Sequence, residues 1–116
     1  MATHKELDVW KDSVEFVTKI YLLTSDFPDS ERFGLVSQIR RSAVSIPSNI
    51  AEGASRGSNK EYVRFINISL GSLAELETQI IIANKLEYLS ATNIIDDLEK
   101  IQAMLCKLRN YLKSKY

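Results

Sequence analysis

The chain has 116 residues, 45% apolar and 26% charged, and Lys plus Arg equal Asp plus Glu at 15 each. That length suits one domain with a single core, and a formal charge of zero excludes a strongly basic nucleic-acid clamp while allowing a local patch. Cys106 has no second cysteine to pair with, which fits a reducing compartment. No cleavage signal opens the sequence and no segment approaches the roughly 20 apolar residues of a membrane helix, so the expectation is a cytoplasmic protein with no membrane contact.

With two prolines, four glycines and no alternating strand pattern, the expected class is all-α. The first helix is predicted over about Leu7 to Thr24, with a main apolar stripe of Leu7, Trp10, Val14, Val17 and Tyr21 and a second row of Val9, Phe16, Ile20 and Leu23. It stops before Phe27-Pro28, because proline disfavours the helical conformation of the residue before it. The second helix is predicted from Asp29 or Ser30 to about Arg56. Pro47 lies inside it and removes the bond to the Ala43 carbonyl, so one helix bent at Pro47 is expected. Gly57 suits the left-handed residue that closes a helix, and Ser58 with Glu61 fits a capping box for the third.

The third helix is predicted over Lys60 to Tyr88, with a seam of Tyr62, Ile66, Ser69, Leu73, Leu76, Ile80 and Ala83. Its run Ile80-Ile81-Ile82 is apolar on every side, and Gly71-Ser72 marks a candidate close approach. Thr92 or Asn93 caps the fourth helix, whose heptad seam is Ile94, Leu98, Ile101, Leu105, Leu108 and Leu112. Four long helices joined by short turns predict a single-domain up-down-up-down antiparallel bundle over residues 1–116.

The stretch 37–56 is the most ordered part of the pattern. Leu35, Ile39, Ala43, Ile46, Ile50 and Gly53 form a narrow apolar stripe, and Gln38, Ser42, Ser45, Asn49, Glu52 and Arg56 repeat beside it in steps of four and three. Small hydrogen-bonding residues in such order suit a subunit seam, and Gln38, Arg41, Ser45, Asn49, Glu52 and Arg56 are the candidate interface residues. Surplus apolar rows on the first and third helices also point to self-association.

Arg40, Arg41, Lys60 and Arg64 are candidate contacts to RNA or DNA, the plain alternative being salt bridges to Glu52, Glu61 or Glu75. Glu75, Glu77 and Glu52 are the candidate carboxylates of an enzyme, against an ordinary role in which Glu75, Glu77 and Gln79 pair with Arg40, Arg41 or Arg56 or cap a polar seam between helices. The single histidine, His4, and the single cysteine leave no ligand set for a di-iron or zinc centre and no nucleophile–base triad, so no cofactor is expected.

Several segments resemble a bacterial four-helix-bundle family encoded in intervening sequences of 23S ribosomal RNA genes. They are Leu7-Asp8-Val9-Trp10; Phe27-Pro28 followed by Glu31-Arg32-Phe33-Gly34-Leu35; the run from Gln38 through Ser45-Ile46-Pro47-Ser48-Asn49-Ile50-Ala51-Glu52-Gly53; Arg56 with Ser58-Asn59-Lys60-Glu61-Tyr62 and Phe65; and Gly71-Ser72-Leu73-Ala74-Glu75-Leu76-Glu77-Thr78-Gln79. The resemblance implies an up-down bundle and a homopentameric ring. A related branch, accessory proteins of diversity-generating retroelements, binds nucleic acid and a reverse transcriptase, but this chain lacks a strong positive charge. The resulting expectation is a non-enzymatic, ring-forming scaffold or nucleic-acid-associated protein. Its rivals are a monomeric adaptor that binds a partner helix and an enzyme using Glu75 or Glu77.

Overall fold

Helix-forming sequence accounts for nearly all of the regular structure. The computed structural model describes residues 3–90 and 93–116, and among these there are four long helices and no strand. They are α1 (Asp8–Thr24), α2 (Leu35–Ala54), α3 (Asn59–Lys85) and α4 (Asn93–Lys113), with short 3-10 turns at His4–Glu6 and Asp29–Glu31. Each helix packs on its neighbours in cyclic order, α1 on α2, α2 on α3, α3 on α4 and α4 on α1, and the diagonal pairs stay apart.

Cross-helix contacts give the directions. Between α2 and α3, Gly53 lies against Tyr62 and Phe65, Ser69 bonds the Ile46 carbonyl, and Ser45 meets Ser72. Residue numbers rise on one helix as they fall on the other, so the pair is antiparallel. Lys19–Asp97 and Asp12–Lys100 relate α1 and α4 in the same way. The result is a rod with extents of 46 × 21 × 20 Å.

The core follows the apolar seams. Ile39, Ala43, Ile46 and Ile50 of α2, Ile66, Leu73, Leu76 and Ile80 of α3, and Leu98, Ile101 and Leu105 of α4 are buried in one cluster. In α1 the assignment of rows is reversed. Val9, Phe16 and Ile20 face the core together with Ser13 and Thr24, whereas the expected main stripe of Trp10, Val14 and Val17 is half-buried and Tyr21 is exposed. Ser13 and Thr24 reach the core because each hydroxyl donates to the carbonyl four residues back, so no donor is left unpaired. That option hid the true core row from a count of apolar residues.

α2 starts later than predicted. Asp29–Glu31 forms a separate 3-10 turn, and Gly34, at ψ −108°, breaks the helical path. The Glu31 carboxylate then accepts from the Leu35 N–H at 3.3 Å, satisfying one free donor at the start of α2. From there α2 is a single helix through the buried Pro47 to Ala54.

Ser58 caps α3 by accepting from the Glu61 N–H at 3.1 Å, and Gly57 takes the left-handed conformation at φ +84°. α3 ends at Lys85, earlier than predicted, because Glu87 turns left-handed at φ +63° and the Tyr88 N–H bonds the Ala83 carbonyl at 2.9 Å. The cap expected at Thr92 lies outside the described residues, and Asn93 is the first residue of α4.

At the expected approach Ser72 is buried and its Oγ lies 2.7 Å from Ser45 Oγ of α2, whereas Gly71 is open to solvent with nothing where a Cβ would go; a tighter approach lies at Gly53. By length and composition α3 reaches the threshold for a membrane-crossing helix, with a mean hydropathy of 1.2 over 18 residues, contrary to the expectation that no segment comes near it. Its apolar seam packs on α2 and α4, which buries 39% of that window and leaves Ile68, Ile81 and Ile82 exposed.

Candidate interface: the groove between α2 and α3

Two stripes of polar side chains meet along the outer edge of the α2–α3 pair. Gln38, Arg41, Ser42 and Ser45 of α2 and Ser72, Glu75 and Gln79 of α3 line a groove of about 430 Å³. Helical spacing explains the set: on α3, positions 68, 72, 75, 79 and 82 share one face, and Ile68 and Ile82, at the two ends of the polar trio, are exposed.

The floor of the groove is hydrogen-bonded. Ser45 Oγ and Ser72 Oγ are 2.7 Å apart, and Asn49 Nδ2 donates to the Ser45 carbonyl at 2.8 Å and to Ser45 Oγ at 2.9 Å. One group breaks the pattern: Gln79 Oε1 is buried with no donor. A buried acceptor without a donor costs about 1–3 kcal/mol.

Of the six interface residues read from the sequence, the fold brings Gln38, Arg41 and Ser45 into the groove and places Asn49 against Ser45. Glu52 and Arg56 lie further along, exposed and paired with each other, with the Arg56 guanidinium 4.8 Å from the Phe65 ring centre. The α3 half of the groove, Ser72 and Gln79, is not among those six residues. The spacing of 72, 75 and 79 carries them, and the alternative in which Glu75 and Gln79 cap a polar seam between helices fits this wall of the groove.

Those two carboxylates do not converge. Two residues apart on a helix, they point about 200° from each other, with Glu75 in the groove and Glu77 outside its lining. Glu52 is engaged by Arg56.

The four candidate nucleic-acid contacts fall into two pairs. Arg40 and Arg41 sit early in α2, and Lys60 and Arg64 begin α3 at the opposite end of the antiparallel pair, about 20 Å away by helical rise. Arg64 reaches Glu61 at 3.4 Å, and Lys60 is exposed. Arg40 is held by neutral partners: Nε donates to Thr24 Oγ1 at 2.9 Å and Nη2 to the Tyr21 carbonyl at 3.2 Å, with the guanidinium 4.5 Å from the Tyr21 ring centre.

The geometry thus defines a four-helix bundle whose distinguishing surface is a polar inter-helix groove with an unpaired acceptor. The chain belongs to the 23S rRNA-intervening sequence protein family, whose model matches residues 5–107. A solved structure from Bacteroides thetaiotaomicron VPI-5482, a protein of unknown function from the S23 ribosomal protein family, is similar to it. The TM-score is 0.80 at 26% identity, covering 88% of this chain and 95% of that chain. No curated protein matches.

Proposed function

We propose that this chain is a non-enzymatic subunit of a homo-oligomeric ring, a cytoplasmic scaffold in which the α2–α3 groove seats the neighbouring copy and basic side chains meet RNA or DNA. The observation that carries the reading is the buried Gln79 Oε1, to which no group of the chain donates, in a groove where Ser45 and Ser72 are already bonded to each other. A donor from a second copy relieves that cost, and buried polar contacts of this kind set register between helices. Ile68 and Ile82 at the groove's ends supply apolar surface of the kind that single chains seldom leave in water. Resemblance to ring-forming relatives supports a pentamer, and the half-buried free thiol of Cys106 supports a reducing compartment.

Sedimentation equilibrium at micromolar concentration tests this. The expected mass is a multiple of the 13.2 kDa chain, five-fold for a pentamer. Asn49→Leu, which removes the donor to Ser45 from the groove floor, is expected to change that multiple. A wild-type chain sedimenting as a 13.2 kDa monomer would falsify the proposal and leave the adaptor reading in its place.

A further inference from the structure

A second groove, between α1 and the start of α2, has a different chemistry. Tyr21, Arg32, Phe33, Val36, Arg40 and Arg41 are among the residues lining its roughly 580 Å³, and no carboxylate belongs to that lining. Among the described residues, none of the three arginines lies within 4.0 Å of an acidic oxygen, whereas Arg56, Arg64, Lys19 and Lys100 all do. The hydroxyl and carbonyl that hold Arg40 fix its guanidinium without neutralising it. Glu31, on the same connection, is turned away to accept from the Tyr88 hydroxyl and the Leu35 N–H. Asp26 and Asp29 are exposed outside the groove.

Beside these cations stands the most exposed aromatic ring of the chain. Phe33 is 88% exposed on the connection before α2, with the Arg32 guanidinium 5.4 Å from its centre. That one cation leaves most of the apolar ring in water. A chain of phosphates with unstacked bases matches both features, since cations take the backbone and aromatic faces take bases. A duplex keeps its bases stacked and has no use for the ring.

From this juxtaposition we infer that the groove formed by Arg32, Phe33, Arg40 and Arg41 binds single-stranded nucleic acid, with phosphates on the arginines and a base stacked on Phe33. The inference rests on the nucleic-acid part of the proposed function and moves the contact away from Lys60 and Arg64.

The test is a fluorescence anisotropy titration of the intact protein with a labelled 15-nucleotide single strand, the same sequence as a duplex, and labelled polyglutamate. It is run at low and high salt for wild type, Phe33→Ala and Arg32→Ala, because Arg41 also lines the α2–α3 groove. Single-strand affinity is expected to fall about 10-fold in Phe33→Ala, the size of one lost base stack, with duplex affinity unchanged. Arg32→Ala is expected to lower the salt slope by about 0.7, the value for one phosphate contact on a single strand. Equal loss on single strand and duplex, an unchanged affinity in Phe33→Ala, or polyglutamate binding as tight as the single strand each overturns the inference. Sedimentation of Phe33→Ala separates this site from the ring. Its mass is expected to equal that of wild type, and a changed mass makes Phe33 a subunit contact and overturns the inference. Binding of the strand by a wild-type monomer keeps this site and removes the ring; a ring that ignores the strand does the reverse.

Discussion

Alanine substituted at Gly53 and at Gly71 should move stability in opposite directions, although both glycines lie within long helices. In an exposed helix interior, Gly→Ala gains about 1 kcal/mol from propensity alone. Gly71 meets that condition, because a Cβ there finds nothing within 4 Å. At Gly53 a Cβ would sit 2.8 Å from Phe65 Cβ, 3.0 Å from Tyr62 Cδ1 and 3.2 Å from the Tyr62 carbonyl. Two of these atoms are backbone or bound directly to it, so no rotamer change clears the space and the helices must separate. Overpacking of this kind costs about 1–3 kcal/mol, which outweighs the propensity gain. Gly53→Ala is therefore expected to be net destabilising by about 1 kcal/mol, and Gly71→Ala stabilising by a similar amount. For a domain of this size that is roughly 4 °C in melting temperature in each direction. Urea denaturation and thermal melting at one protein concentration read both, the concentration being fixed because association raises apparent stability. A Gly53→Ala protein as stable as wild type or more so would refute the close-approach argument.

Two further outcomes follow from the end of α3. The Tyr88 hydroxyl donates to Glu31 at 3.0 Å, and that hydrogen bond first, then desolvation and the carboxylate's charge, raises its pKa above the usual value near 10. A raised folded-state pKa gives stability that is present below about pH 10 and lost as pH rises through the folded value. Melting temperature should thus fall between pH 9 and 11 by more in wild type than in Tyr88→Phe; parallel curves for the two would show the bond to be inert. Glu87 occupies a left-handed conformation that costs a residue with a side chain about 1 kcal/mol. Glu87→Gly is expected to raise stability by about 0.5 kcal/mol once glycine's greater unfolded-state entropy is deducted, and a lower urea midpoint would count against that strain.

Much of the fold was legible because it is periodic. The seams of α2, α3 and α4 place Ile46, Leu73 and Leu105 in the core by spacing alone, and Ser58 with Gly57 marks the turn into α3. What escaped the sequence is local chemistry that breaks a rule. Glu87 does the work of a C-terminal glycine, so the end of α3 left no trace. Ser13 and Thr24 enter the core by bonding their own helix, so apolar counting ranked the two rows of α1 in the wrong order. The groove was half legible: the stripe from Gln38 through Asn49 announced its α2 wall, but its depth at Gln79 and the separation of Arg40 from Arg64 depend on how α3 lies against α2.

Gly53 has a reach beyond its own contacts. It fixes how near α2 and α3 come at one end, and Arg41, on the groove wall, sits about 18 Å away along the same stiff rod. The two rods also touch at Ile46–Ser69 and Ser45–Ser72, so a methyl added at position 53 loads every one of those contacts in turn. The slot's width is thereby tied to a residue that never borders it.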